Sequence, residues 1–302
     1  MILPDDSSVS PQRLLDIRKH AEKALKAAGA VGSYPTPVSD VMDAARVSVS
    51  DEPVLDENFI VWMSKKGGKA LKRALTKVIG LFDVVARLIY IDRGLLLVKQ
   101  IFLKLHETAH AVLPWQRDIY SIIQDCEKTI SPEISEAFDR EANVFASEVL
   151  FQLDDFTKRA ADVPFGIRVP IDLSKHYGAS IYATIRRYVS TNHRACAVLV
   201  INPPEPMQGE GFVATLRRVV PSIKFEVSFG SLKWPEQFTP SDEIGAMIPV
   251  EKRRMSKPRT CSLRDSNGNL HECIAEAFTT TYQVFILIHA VATLNKKTII
   301  LP

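Results

Sequence analysis

His106-Glu107-Thr108-Ala109-His110 places two imidazoles and a carboxylate within five consecutive residues of a tract with helical periodicity. At about 100° per residue, a spacing of four sets both imidazoles on one helix face, roughly a turn apart. That geometry suits adjacent corners of a tetrahedral zinc site. Glu107 projects beside them, close enough to take a proton from water at the metal without being a ligand itself. Such an arrangement makes a nucleophile without an activated serine or cysteine. The apolar residues Ile101, Phe102, Leu105, Ala109 and Val112 put the motif on a helix expected from about Leu95 to Val112. A buried strand over Val84 to Asp92 and a turn at Gly94 are expected to precede it. With only seven histidines in 302 residues, two unrelated histidines at this spacing beside a glutamate are a poor alternative.

A catalytic zinc keeps three protein ligands and leaves the fourth position for water. The next helical tract starts at Ser131-Pro132 and offers Glu136, Asp139 and Glu141. Its apolar stripe runs through Phe138, Ala142, Phe145, Ala146, Val149 and Leu150. Asp139 and Asn143 are four apart and share a face, so one can bind metal while the other hydrogen-bonds a ligand histidine.

The net charge of +3 gives no sequence-independent grip on nucleic acid or anionic lipid. Its 46% hydrophobic and 24% charged residues are those of an ordinary folded protein. The four cysteines, Cys126, Cys196, Cys261 and Cys273, form no CxxC pair, and the Met-Ile-Leu-Pro-Asp-Asp start does not read as a signal peptide. Reduced, mostly buried thiols and a cytoplasmic location are expected. The apolar stretch Val284 to Leu294 is far shorter than the roughly 20 residues a bilayer demands, and His289 interrupts it.

Along the chain, Pro11 to Ala28 reads as an amphipathic helix stopped by Gly29, and Ser39 as the cap of a short helix before a strand at Val47 and Val49. The basic run from Ser64 to Lys77 reads as a solvated face. Asp172 to Val189 reads as helix, glycine turn, helix, with Ser180 as a cap. Beyond about residue 194 the texture changes to short apolar runs, such as Ala197 to Ile201 and Phe225 to Phe229, punctuated by proline and glycine. A hairpin tip is expected at Asp265 to Asn269. Cys261, His271 and Cys273 could form at most an incomplete metal cluster.

Several pieces fall in one order: an early helix ending Ala27-Ala28-Gly29, Pro37-Val38, Lys99 to His110, Asp139-Arg-Glu141-Ala142-Asn143-Val-Phe145-Ala146, and Tyr177-Gly-Ala-Ser180 with Arg186-Arg187. Together they resemble the ImmA/IrrE family of metallopeptidases over roughly residues 20 to 190. The resemblance implies zinc as cofactor and a helix-turn-helix repressor or antitoxin as the protein cleaved. It implies that Asp139 is the third ligand, an aspartate where the family has glutamate, with Glu141 as the alternative. The expected fold is α+β: a zincin-like domain over residues 1–194, including the helix-turn-helix-shaped segment 172–190, then a β-rich distal domain over 195–302 for regulation or recognition. Tyr177, Tyr182 and Arg187 are candidates for stabilising the oxyanion. A rival reading is a weakened peptidase that binds DNA or a protein partner through Ser180 to Arg194; the near-neutral charge speaks against DNA.

Overall fold

The computed structural model describes residues 9–51, 80–83, 86–119, 132–207, 209, 211–250 and 254–291. The basic run from Ser64 to Lys77 and Cys126 lie outside them. Contacts gather Asp6–Lys158 with Leu173–Ser180 into one compact unit, and Arg159–Asp172 with Ile181–Pro302 into another. The chain thus passes between units around residues 158, 172 and 180, ahead of the change in texture near residue 194.

The first unit opens with α1 (Pro11–Ala27), whose start is fixed by Ser10: its side chain accepts from the Arg13 amide at 3.3 Å. Ile17, Ala21, Ala24 and Leu25 form its buried face. Burying Ile17 and Leu25 contributes on the order of 2 kcal/mol each. Gly29, at φ +60, reverses the chain and lets the Ala30 amide reach the Leu25 carbonyl at 2.9 Å. Helix α2 (Val38–Ala44) begins one residue before the expected cap: Pro37 occupies the N-cap position, and Ser39 lies inside the helix. Proline's fixed φ presets the entry and makes a side-chain cap unnecessary.

A small sheet follows, ordered β1 (Ser48–Val49), β3 (Leu88–Ile91), β2 (Gly80–Asp83), with β1 parallel and β2 antiparallel to β3. The strand expected over Val84 to Asp92 is therefore shorter. Ala86 and Arg87 belong to a turn in which the Asp83 carboxylate accepts from the Ala86 amide at 2.9 Å and Arg87 takes a left-handed φ of 53°. Aspartate competes for nearby backbone donors in this way and turns the chain where aliphatic composition alone suggests continuation.

Helices α3 (Leu97–Val112) and α4 (Pro132–Leu150) pack along each other and carry the site. Leu105 and Ala109 on α3, and Ala142, Phe145, Ala146 and Val149 on α4, are fully buried, the alanines allowing close backbone approach. Past α4, Gln152 and Leu153 adopt left-handed backbone conformations before α5 (Asp155–Ala161), an element with no counterpart in the sequence reading. The pair expected over Asp172 to Val189 is present as α6 (Arg168–Tyr177) and α7 (Ile181–Ser190), with Gly178 at φ +62 between them.

The second unit is built on a curled antiparallel half-barrel with strand order β5 (Glu205–Met207), β6 (Gly211–Pro221), β4 (Cys196–Ile201), β10 (Val284–Ala290), β9 (Leu270–Thr279), β8 (Arg259–Arg264); β7 (Gln237–Phe238) pairs with β6. Every residue of β4 and the first five of β10 are buried, which explains their unbroken apolar runs: a central strand covered on both faces has no polar side to alternate with. The apolar stretch from Val284 is thus a sheet strand, and no described helix is long and apolar enough to cross a membrane. The run Phe225 to Phe229, expected among strands, lies in helix α8 (Ile223–Phe229). Ser222 caps it by accepting from the Phe225 amide at 3.1 Å, and Phe225 and Phe229, four apart on one face, stack at 4.5 Å in the core. The β8–β9 hairpin turns at the expected tip, where one Asp265 oxygen accepts from the Asn267 and Asn269 amides, both at 2.9 Å.

Candidate metal centre

Helix α3 presents His106 and His110 on one face, their ring centroids 5.1 Å apart. Helix α4 contributes Asp139 and Asn143 from a single face, and the two grip the same imidazole. Asn143 Oδ1 lies 2.9 Å from His106 Nδ1, and Asp139 Oδ1 lies 3.8 Å from His106 Nε2. His106, His110 and Asp139 each offer a ligand atom, and these atoms all lie within 4.8 Å of one another. Zinc bonds of ~2.0–2.1 Å at tetrahedral angles put ligand atoms ~3.4 Å apart, so the separations must close by at most ~1.4 Å. The Asp139 side chain is 57% exposed and can make that movement. Two imidazoles and one carboxylate form a donor set that fits zinc, with one corner left for water or substrate.

Glu107 is buried on α3 beside this group. Burial, reinforced by the Asp139 charge, pushes its carboxyl up to about 8. His110 is buried too, and burial, then its neighbour His106, hold its imidazole down at about 3, so it stays neutral as a metal ligand must.

The other two acids considered as ligands, Glu136 and Glu141, do not join this group. Glu136 pairs with Arg140 at 4.0 Å. Glu141 is buried, and its oxygens meet Arg13 Nε at 3.0 Å, Trp115 Nε1 at 2.7 Å and Gln116 Nε2 at 2.7 Å. Gln116 in turn lies 2.7 Å from His110 Nδ1. Arg13, Trp115 and Gln116 are contacts of this group that the sequence reading does not single out. The one available signal was a tryptophan and a glutamine directly after Pro114.

Of the oxyanion candidates, Tyr177 is fully buried and its hydroxyl donates to Asp155 at 2.6 Å. Tyr182 and Arg187 belong to the second unit, where Tyr182 accepts from Arg218 at 2.7 Å and Arg187 is buried. The mixed Cys261, His271, Cys273 cluster does not form: His271 Nε2 is 2.9 Å from Asp265, and among the described residues the one grouping of metal-ligating side chains is His106, His110 and Asp139.

An HExxH helix packed on an acid-bearing helix beside a small sheet defines a zincin-like, peptidase-type domain. Residues 63–188 match the IrrE N-terminal-like domain, peptidase M78, so the resemblance to the ImmA/IrrE family holds across that segment. Among solved structures, a Mycobacterium tuberculosis transcriptional regulator aligns with 95% of this chain and 94% of its own, at 13% identity and a TM-score of 0.51. That likeness establishes a shared fold across both units and nothing finer. No curated protein matches significantly.

Proposed function

We propose that the protein is a zinc-dependent endopeptidase acting in the cytoplasm on a helix-turn-helix repressor or antitoxin, with residues 195–302 serving recognition or control. The observation that carries the chemistry is the convergence of His106, His110 and Asp139 ligand atoms within 4.8 Å, beside buried Glu107. Zinc held there supplies Lewis acidity, polarising a peptide carbonyl and making water a nucleophile near neutral pH. His106 and His110 would hold it through ring nitrogens, and Asp139 would add the anionic oxygen. In its ionised form Glu107 accepts a proton from the attacking water and returns it to the leaving amine. Asn143 fixes the His106 ring through Nδ1.

Support for the substrate class is the family match over residues 63–188, since the family acts on such repressors. Two tests bear on the chemistry. His106→Ala and His110→Ala should each lose zinc in elemental analysis, and stoichiometric zinc in either would place the site elsewhere. Glu107→Gln should retain zinc yet leave candidate repressors intact, and normal turnover would refute the proton-transfer role.

A second reading is favoured by one observation: a solved structure that aligns with 95% of the chain is a transcriptional regulator, which suits a regulatory binding protein with a weakened peptidase site. A zinc-loaded wild type that cleaves no repressor would favour it.

A further inference from the structure

We propose that Gln116 and Glu141 are positioning residues that lock His110 as its Nδ1–H tautomer, so that Nε2 is the nitrogen offered to zinc; this rests on the zinc reading above. The assignment follows from counting donors. Gln116 Nε2 carries two N–H groups and lies 3.2 Å from the Phe138 carbonyl and 2.7 Å from a Glu141 carboxylate oxygen. Both partners accept and cannot donate. A flipped amide would set its own oxygen against these two oxygens, so the orientation is fixed. The Gln116 oxygen therefore faces His110 Nδ1 at 2.7 Å and can only accept. The proton sits on Nδ1, and the lone pair on Nε2. Histidine's protonated nitrogen is set by the bond its ring makes away from the metal.

Glu141 makes this orientation durable. It is buried, and a buried carboxylate persists only when charge-paired and hydrogen-bonded. Arg13, on α1, meets one oxygen at 3.0 Å, while Trp115 Nε1 shares the other with Gln116 at 2.7 Å. The Arg13 guanidinium also covers the Trp115 ring at 4.4 Å from its centroid. Gln116 is fully buried, so no bulk water can stand in for its amide. The path from α1 through Arg13, Glu141 and Gln116 ends on a ligand imidazole. This gives an acid near the site a role distinct from ligation.

The test uses the full chain, labelled with 15N. Two-bond proton–nitrogen correlations of the histidine rings before zinc addition report the tautomer, and zinc affinity is read by competition with a chromophoric chelator. Wild type should show His110 with the proton on Nδ1. Gln116→Met keeps length and volume but removes the amide; it should shift His110 toward the Nε2–H form and weaken zinc binding by about 10–100-fold. A folded Gln116→Met protein that retains either the Nδ1–H signature or wild-type affinity overturns the proposal. Should that variant fail to fold, Glu141→Met decides: it keeps length but removes the oxygen that accepts from the Gln116 amide, and unchanged tautomer and affinity would overturn the proposal equally. His110→Ala separates the two levels. If it keeps wild-type zinc affinity, the site reading fails and this inference with it. If it loses zinc while Gln116→Met does not, only the positioning role fails.

Discussion

Gln152 is a single side chain on which the helical unit's loop after α1 depends. Its Nε2 lies 2.8 Å from the Ala30 carbonyl, 3.1 Å from the Ser33 carbonyl and 3.1 Å from Thr36 Oγ1, while its Oε1 accepts from the Gly32 amide at 2.9 Å. Two N–H groups serve three acceptors, so the loss amounts to about three hydrogen bonds at ~1 kcal/mol each, or ~3 kcal/mol for Gln152→Ala. The Ala30 carbonyl keeps the Ser33 amide at 3.1 Å, so no large orphan penalty is added. Backbone strain is a separate matter: Gln152 sits at φ 53°, which glycine tolerates and alanine does not. Gln152→Gly should therefore be up to ~1 kcal/mol more stable than Gln152→Ala, although it loses the same hydrogen bonds. Urea and thermal unfolding followed by far-ultraviolet circular dichroism read both effects, with a drop of roughly 6–12 °C expected for the alanine variant. An alanine variant within about 1 kcal/mol of wild type would refute the hydrogen-bond accounting. A glycine variant less stable than the alanine one would refute the strain argument.

Three further outcomes are expected. Asp139→Ala should weaken zinc binding more than Glu141→Ala, because only Asp139 brings an oxygen to the two imidazoles; chelator competition measures both, and the reverse order would give the ligand role to Glu141. Cys196, Cys261 and Cys273 are buried, and burial pushes their thiols up to about 12, 12 and 11, so peptides containing them should stay unalkylated by iodoacetamide at neutral pH until the chain is denatured; rapid labelling in the native protein, read by mass spectrometry, would contradict that burial. Ser222→Ala should cost about 1–2 kcal/mol in the β unit, since Ser222 caps α8. Its hydroxyl also donates to the Arg194 carbonyl at 2.7 Å, and an unchanged urea midpoint would show the cap to be unimportant.

A cut at residue 194 would not isolate the peptidase half cleanly. Helix α7 packs on β4 and β6, so the cut would remove the sheet against which that helix packs. Control by residues 195–302 is better tested with substitutions at exposed residues of the outer strands β5 and β8 than by truncation.

The sequence by itself determined what local chemistry can determine. Periodicity and spacing placed His106, Glu107 and His110 on one helix and Asp139 and Asn143 on one face of the next, because side-chain direction on a helix follows from residue number alone. Asp265 to Asn269 announced its turn because aspartate bonds its own neighbours' amides. The short apolar run Phe225 to Phe229 misled, since five residues carry too little periodicity to separate strand from helix, and the deciding signal was the cap at Ser222. The tertiary structure decided which carboxylate goes where. Asp139 and Glu141 are two residues apart and chemically alike, but α4 turns the first toward the imidazoles and the second toward Arg13, Trp115 and Gln116. Gln116, a polar residue after a helix, became a buried contact of His110 only because α4 brought Phe138 and Glu141 to satisfy its amide. Those partners lie more than twenty residues further along the chain, and a buried polar side chain is stable only where such distant partners converge on it.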